Sequence, residues 1–316
     1  MEAGSDVAEL HAHLSATPRL GFLLGTTVPT QTRRPVAGQL ELIPAKPNDL
    51  PRLIRSESPQ TSLVVIGDPR NDENLIVAQM HVAFLKFHNK VVDKLESGDI
   101  PRDESKSLFE QAREIVLWHY QWIVLHDFLR RILDTNQLDE VLTNGRQFYD
   151  FQDEPFIPVE FSVAAYRLGH SMVRSVYAYN RVFTLPTINT DSKFDNATLD
   201  LLFEFTAKSG NPSSPAGLMP TLPSNWIIDW RGFFEIDGRE KVGFSRKLDP
   251  YLAKPLTNLP NVPMPNSLAI RNLLRGQSLG LPSGQDVAKH MGFEPLDPSA
   301  IADSGSDGIV AAELGS

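Results

Sequence analysis

The chain has 316 residues, a formal net charge of −9 and no cysteine, with 41% hydrophobic and 22% charged residues. This is an ordinary globular composition, long enough for one large domain or two small ones with a sizeable core. It excludes a membrane-spanning helix, since no stretch approaches the roughly 18 apolar residues a span needs. The acidic balance argues against nucleic acid or an anionic membrane as partner. Without cysteine there are no disulfides, thiolate zinc sites, iron–sulfur clusters or cysteine nucleophiles.

The opening MEAGSDVAELHAHLS is acidic and lacks the basic start and apolar run of a secretory signal,. Residues 1–21 read as an N-terminal extension, and the compartment stays open. Between residues 16 and 60 lie Pro18, Pro29, Pro35, Pro44, Pro47, Pro51 and Pro59, which predict irregular chain with a short strand or two. SLVVIG (Ser62–Gly67) reads as extended. A helix follows over about Asn71–Glu96, from Leu75, Ala78, Val82, Leu85 and Val92 on one face. The clearest helix runs from about Lys106 to Leu133. Leu108, Ala112, Ile115, His119, Trp122, His126, Leu129 and Leu133 follow a strict four–three spacing, and Val116, Ile123 and Ile132 widen that face, so a central position is expected.

Short helical pieces are expected near Thr135–Leu142. A third long helix is predicted over about Pro158–Asn180, entered by two prolines and carrying Phe161, Ala164, Ala165, Leu168, Met172, Val176 and Tyr179 on one face. Leu199–Ala207 predicts a short helix, and Asn225–Ile236 a buried one. Ser267–Arg275 and Gly284–Met291 are further short helices, the latter with Gly292 as its C-cap. Residues 294–316 read as a flexible tail. The whole predicts a mainly α fold with long irregular connections and little β.

No glycine-rich phosphate loop, metalloprotease helix or nucleophile elbow is present. Polar residues on apolar helices are the remaining candidates. His170 lies among small and apolar neighbours. It is either a hydrogen-bonded core histidine or an axial ligand to a haem iron, which needs a neutral imidazole, a partner for the other ring nitrogen and a flat apolar slot. Gly169 beside it would let a macrocycle approach closely. His119 and His126 are seven residues apart, roughly 10.5 Å along a helix and too far to share one metal ion. His81 and His88 repeat that spacing, and all four read as structural. Arg70 and Glu73 sit three apart at a helix entry, as a local ion pair or as a carboxylate on the helix dipole.

Taken together these residues form a pattern. GDPRNDENLIVAQMHVAFLKFHNKVVDKL (Gly67–Leu95) resembles the distal-arginine helix of the animal-type haem peroxidase superfamily, in the manner of its bacterial members. Phe109–Leu133 is similar to the helix that follows it there. FSVAAYRLGHSMVRSVY (Phe161–Tyr177) resembles the proximal-histidine helix, and IRNLLRGQSLGLPS (Ile270–Ser283) the later asparagine–arginine segment. The four blocks stand in family order over roughly residues 22–293, which the resemblance makes a single peroxidase-like domain.

The resemblance implies a peroxide-dependent oxidoreductase holding one haem b, with hydrogen peroxide and a small electron donor as partners. By it His170 is the proximal iron ligand. Asn272 accepts a hydrogen bond from the other ring nitrogen, and Arg167 and Arg275 pair with haem propionates. Arg70 is the catalytic distal arginine, stabilising charge as the O–O bond breaks. Glu73 matches the carboxylate that can form an ester to a haem methyl. The next residue is Asn74, so no sulfonium link is expected. The family's distal histidine and its calcium loop find no counterpart upstream of Arg70. His11 and His13 stand in surroundings that do not match, and calcium is not expected. The alternative reading is therefore a truncated or non-catalytic relative that binds haem without efficient peroxide cleavage.

Overall fold

The computed structural model describes residues 21–33, 40–54, 62–183, 197–207, 221–236, 238, 243–259 and 262–302. His11 and His13, and all but the last residue of the expected N-terminal extension, lie outside them. The chain divides into two compact units, one of residues 1–143 and 204–228, the other of 144–203 and 229–316.

The first unit opens with short strands in antiparallel pairs. β1 (Gly25–Thr26) pairs with β4 (Pro47–Asp49), β2 (Thr30–Arg33) with β3 (Leu40–Ile43), and β5 (Arg52–Ile54) with β6 (Ser62–Val64). The prolines keep them short, because a proline cannot donate to the ladder. At Gly25 an added Cβ would sit 2.1 Å from the Leu50 carbonyl oxygen, so the β1–β4 crossing requires glycine.

A 3-10 turn over Pro69–Asp72 leads into α1 (Leu75–Glu96). The expected apolar stripe is buried, with Leu75 and Val82 each 1% exposed. The helix starts later than predicted, because Asn74 caps it by accepting from the Val77 N–H,. α2 (Leu108–Ile123) begins in a capping box of Ser107 and Glu110,. Val91, Val92, Leu95, Leu108 and Ala112 form the seam between these helices. A second cluster, Leu50, Ala78, Val82 and Leu85, joins α1 to the strands. A π-bulge at Val124–Phe128 separates α2 from α3 (Leu129–Ile132), and α4 (Thr135–Asn144) follows.

The expected central position of the second helix needs correction. Its stripe is buried only at Leu108 and Ala112, while Trp118 and Trp122 are each 60% exposed. Within this unit α1 lies along one side only, meeting the later turns through Phe84–Tyr120 and Phe87–His119 edge contacts. One neighbour cannot cover so wide a face.

A buried ionic cluster ties the unit together. Arg52 donates to both Asp72 carboxylate oxygens at 2.8 Å, to Asp49 Oδ2 at 3.4 Å and to the Phe205 carbonyl at 3.1 Å. Asp49 accepts from the Leu50 and Leu222 N–H groups, and the Ala207 N–H donates to the Asp72 carbonyl. Burial opposes the charge on Arg52, but its two carboxylate partners outweigh that and raise its pKa. The contact at Phe205 holds a φ of +58°, a left-handed conformation unusual for a bulky residue,. It breaks the helix expected over Leu199–Ala207, of which a single turn at Asp200–Phe203 remains.

The second unit holds β7 (Val176–Tyr177) against β8 (Ala197–Thr198). It also holds α5 (Leu268–Ser278), α6 (Gly284–His290) and α7 (Pro298–Ala302). Gly292 follows α6 at φ +78° as expected of a C-terminal cap,. The predicted Pro158–Asn180 helix is a π turn over Glu160–Ala164 and a 3-10 run over Ala165–Met172. It ends where Val173 turns extended and β-branched Val176 joins the strand,. The helix expected over Asn225–Ile236 is reduced to a turn at Ser224–Trp226, in the first unit, and one at Trp230–Gly232, in the second.

Two outcomes follow. Arg52→Met leaves Asp49 and Asp72 buried without a counter-charge, so stability should fall by about 3–5 kcal/mol, read as a lower urea midpoint at unchanged m value; a loss under about 1 kcal/mol would contradict the cluster's role. Burial also lowers the pKa of His81 and of His88, which packs between Phe22 and Phe109. A depressed histidine pKa favours the neutral ring in the folded chain. The stability it contributes is full above the unfolded value of ~6.5 and is lost as pH falls through the folded value. The urea midpoint should therefore drop between about pH 7.5 and about pH 5, and less steeply in His88→Phe. An unchanged slope would place the acid sensitivity elsewhere.

Candidate functional site

His170 stands in the 3-10 run Ala165–Met172. In such a run side chains three apart eclipse, so Arg167 lies directly above His170. Asn272 reaches the same place from α5. Its Nδ2 is 3.0 Å from His170 Nδ1, and its Oδ1 accepts from Arg167 Nη1 at 3.2 Å. Gly276, one turn further along α5, is buried, and an added Cβ there would make only ordinary contacts, with Leu281 at 3.4 Å and Val163 at 4.0 Å. The imidazole is half-buried. Desolvation, and after it the neighbouring Arg167 charge, lowers its pKa and favours the neutral ring that a metal ligand needs,.

The histidine, asparagine and first arginine expected at the proximal site thus meet around one amide. The direction of one hydrogen bond differs from the expectation. The amide oxygen is engaged by Arg167, so Asn272 presents its NH2 group to the ring where an acceptor was expected. Arg167 is correspondingly occupied by Asn272, and its buried Nε has no hydrogen-bond partner among the described residues. Arg275 is exposed on α5, and no described residue pairs with its guanidinium. At Gly169 an added Cβ would meet only Met172 Cε, at 3.6 Å, leaving the chain beside the histidine open to a flat ligand.

Arg70 and Glu73 belong to the other unit, on the turn that leads into α1. Arg70 is 86% exposed, and its Nη2 lies 2.5 Å from Asp68 Oδ2. Its Nε donates to both Asp68 oxygens at 3.0 Å. That hydrogen-bonded arginine holds the Asp68 carboxyl down to about 2. The ion pair at this entry is therefore Arg70–Asp68, with Glu73 exposed and its N–H bonded to the Arg70 carbonyl. His119 bonds the Ile115 carbonyl through Nδ1, and the His126 ring lies tilted against Trp122 with centroids 5.1 Å apart.

Sequence reasoning missed Arg246. Its N–H donates to the Met172 carbonyl at the end of the His170 run, and its buried Nη1 has no partner among the described residues. The surrounding residues 243–250 carry no motif that would have marked it. A neutral imidazole, an amide at its second ring nitrogen, an open glycine and unpartnered guanidinium nitrogens fit a carboxylate-bearing macrocycle. No group of three or more histidine, aspartate or glutamate side chains suited to a bare metal ion occurs among the described residues. No described helix is long and apolar enough to cross a membrane.

A sequence profile of the family described as animal haem peroxidase matches residues 27–211. A peroxidase-like protein of Margaritifera margaritifera is 33% identical over 115 residues, 35% of this chain and 14% of that protein. Human myeloperoxidase is 30% identical over 127 residues, 40% of this chain and 17% of its own length. A chorion peroxidase of Drosophila melanogaster is 32% identical over 123 residues, 37% and 15% respectively. The chain thus spans less than a fifth of the length of each of these relatives in the matched region.

The Gly169→Ala substitution should leave the thermal midpoint unchanged or raise it by the equivalent of up to about 1 kcal/mol, since the site has room for a methyl group and alanine is the less flexible residue. A clear drop in the midpoint would show the space to be needed by the chain itself.

Proposed function

This chain belongs to the animal haem peroxidase family, and from that premise we propose that it holds a haem b through His170 and takes part in hydrogen-peroxide-dependent oxidation of a small donor. The observation that carries the reading is the His170–Asn272 contact at 3.0 Å on facing segments of one unit. A bound haem would supply the redox chemistry, two-electron reduction of peroxide followed by oxidation of the donor. His170 offers the iron a neutral imidazole, and Asn272 orients its ring. Arg167, Arg275 and, from the neighbouring segment, Arg246 offer N–H groups to propionates, in the planar geometry that suits carboxylates. Arg70 would stabilise negative charge on peroxide, and Glu73 would supply a carboxylate to a haem methyl. The protein's peroxidase-like region is proposed to extend over residues 22–293, with residues 1–21 and 294–316 as flanks.

A second reading is a haem-binding protein with little peroxide turnover. It is favoured by Arg70, whose charge faces solvent and is matched by Asp68. An arginine so placed has its field weakened by water and by its own carboxylate partner. A general acid–base contributes a further 10²–10⁴-fold as an order of magnitude, and neither His11 nor His13 stands in surroundings that match one.

Haem titration of the purified chain, followed by optical absorption, tests the reading. A Soret shift saturating at one haem per chain, and absent in His170→Ala, is expected. No saturable shift, or one unaffected by His170→Ala, would overturn it. Arg70→Leu then separates the two readings on the loaded chain. A fall of about 10²-fold or more in peroxide reaction rate supports the peroxidase, whereas slow turnover indifferent to Arg70 supports the binding protein.

A further inference from the structure

The contacts among Arg167, Asn272 and His170 have a direction that is fixed at one end. A guanidinium has donors only, so the amide atom 3.2 Å from Arg167 Nη1 must be the oxygen,. That leaves the NH2 group of Asn272 toward His170 Nδ1, at 3.0 Å. An amide nitrogen donates and does not accept, so Nδ1 must carry the lone pair. In the neutral ring the proton then sits on Nε2. Iron ligation through Nε2 needs the reverse, a lone pair on Nε2 and an Nδ1–H donated to an acceptor. The two arrangements differ by a half-turn of the Asn272 amide and by movement of one ring proton from Nε2 to Nδ1, with no net gain or loss. While Arg167 holds the oxygen, the half-turn would set NH2 against N–H, two donors facing each other.

We propose that Arg167 is a positioning residue that, through the Asn272 amide, holds His170 in the tautomer unable to ligate, and that transfer of its guanidinium to a carboxylate of the incoming macrocycle releases the ligating tautomer. The proposal rests on the haem-binding reading above. Two observations beyond the contact itself support it. The 3-10 winding eclipses Arg167 over His170, so both side chains reach one amide,. Arg167 also keeps a buried Nε without a partner among the described residues, and Nε with an Nη forms the fork that binds a carboxylate in two places,. The present contact uses one Nη of that fork, and a carboxylate would use two donors. Recognition of the acid groups and readiness of the axial nitrogen become one event, and a macrocycle lacking carboxylates would leave His170 closed.

The test uses the full chain without haem, labelled with 15N at histidine. Two-bond proton–nitrogen NMR correlations report which ring nitrogen carries the proton, and the His170 signals are identified by their loss in His170→Gln. The wild-type ring should be protonated on Nε2. In Arg167→Leu most of the His170 population should move to the Nδ1-protonated form. Asn272→Asp supplies an acceptor-only group, and Nδ1 should be protonated there with Arg167 still in place. A wild-type ring protonated on Nδ1, or an Arg167→Leu ring still protonated on Nε2, would overturn the proposal. If Arg167→Leu does not fold, an Asn272→Asp ring protonated on Nε2 alone overturns it equally. Because no haem is present, failure here is distinct from failure of the haem titration.

Discussion

The guanidinium of Arg52, buried against Asp72 and Asp49, is the constraint on which the first unit depends. It joins the end of one strand pair, the turn entering α1 and the returning segment at Phe205 and Leu222, which are far apart in sequence. A buried charge with its partners removed costs several kcal/mol, so these segments cannot separate one at a time. The same turn carries Arg70 and Glu73 two positions before and one position after the anchored Asp72. The cluster thereby fixes the backbone of the residues that the family resemblance makes distal, while leaving their side chains at the surface.

The second unit is organised around a weaker but more directional contact. Asn272 has one oxygen and one NH2 group, and Arg167 and His170 face them respectively. Such a bridge sets the ring's orientation and its tautomer together, which an apolar contact could not do. The lowered pKa of His170 and the Arg167 Nε, without a partner among the described residues, belong to the same arrangement, a cation held beside a neutral base. Family membership and this geometry give haem chemistry its support. The donor, and the catalytic competence of Arg70, belong to the proposal.

What was legible in the sequence followed from local rules. The α1 stripe, the α2 start and the Gly292 cap each depend on residues within one or two turns, so pattern sufficed. The His170 segment predicts a regular helix because periods of 3.6 and 3.0 are hardly distinguishable over eight residues. The correction matters chemically, since only the tighter winding eclipses Arg167 over His170. The α2 stripe showed apolar width but not how many neighbours would cover it. The Arg52–Asp72 pair spans 20 residues and Arg167–Asn272 spans 105, without periodic signature. The pairing of His170 with Asn272 follows from family resemblance, while its hydrogen-bond direction depends on Arg167, which only the fold brings to the same amide. Arg246 had no sequence signal.

The central claim is that His170, oriented by Asn272, is the residue that takes a haem iron. Resonance Raman spectroscopy of the reduced, haem-loaded chain tests it most directly, because the iron–imidazole stretch reports both the bond and the hydrogen bond behind it. The account predicts a single iron–histidine band that is missing in His170→Ala and displaced in Asn272→Ala. A band that survives His170→Ala would assign the iron to another histidine and contradict the account.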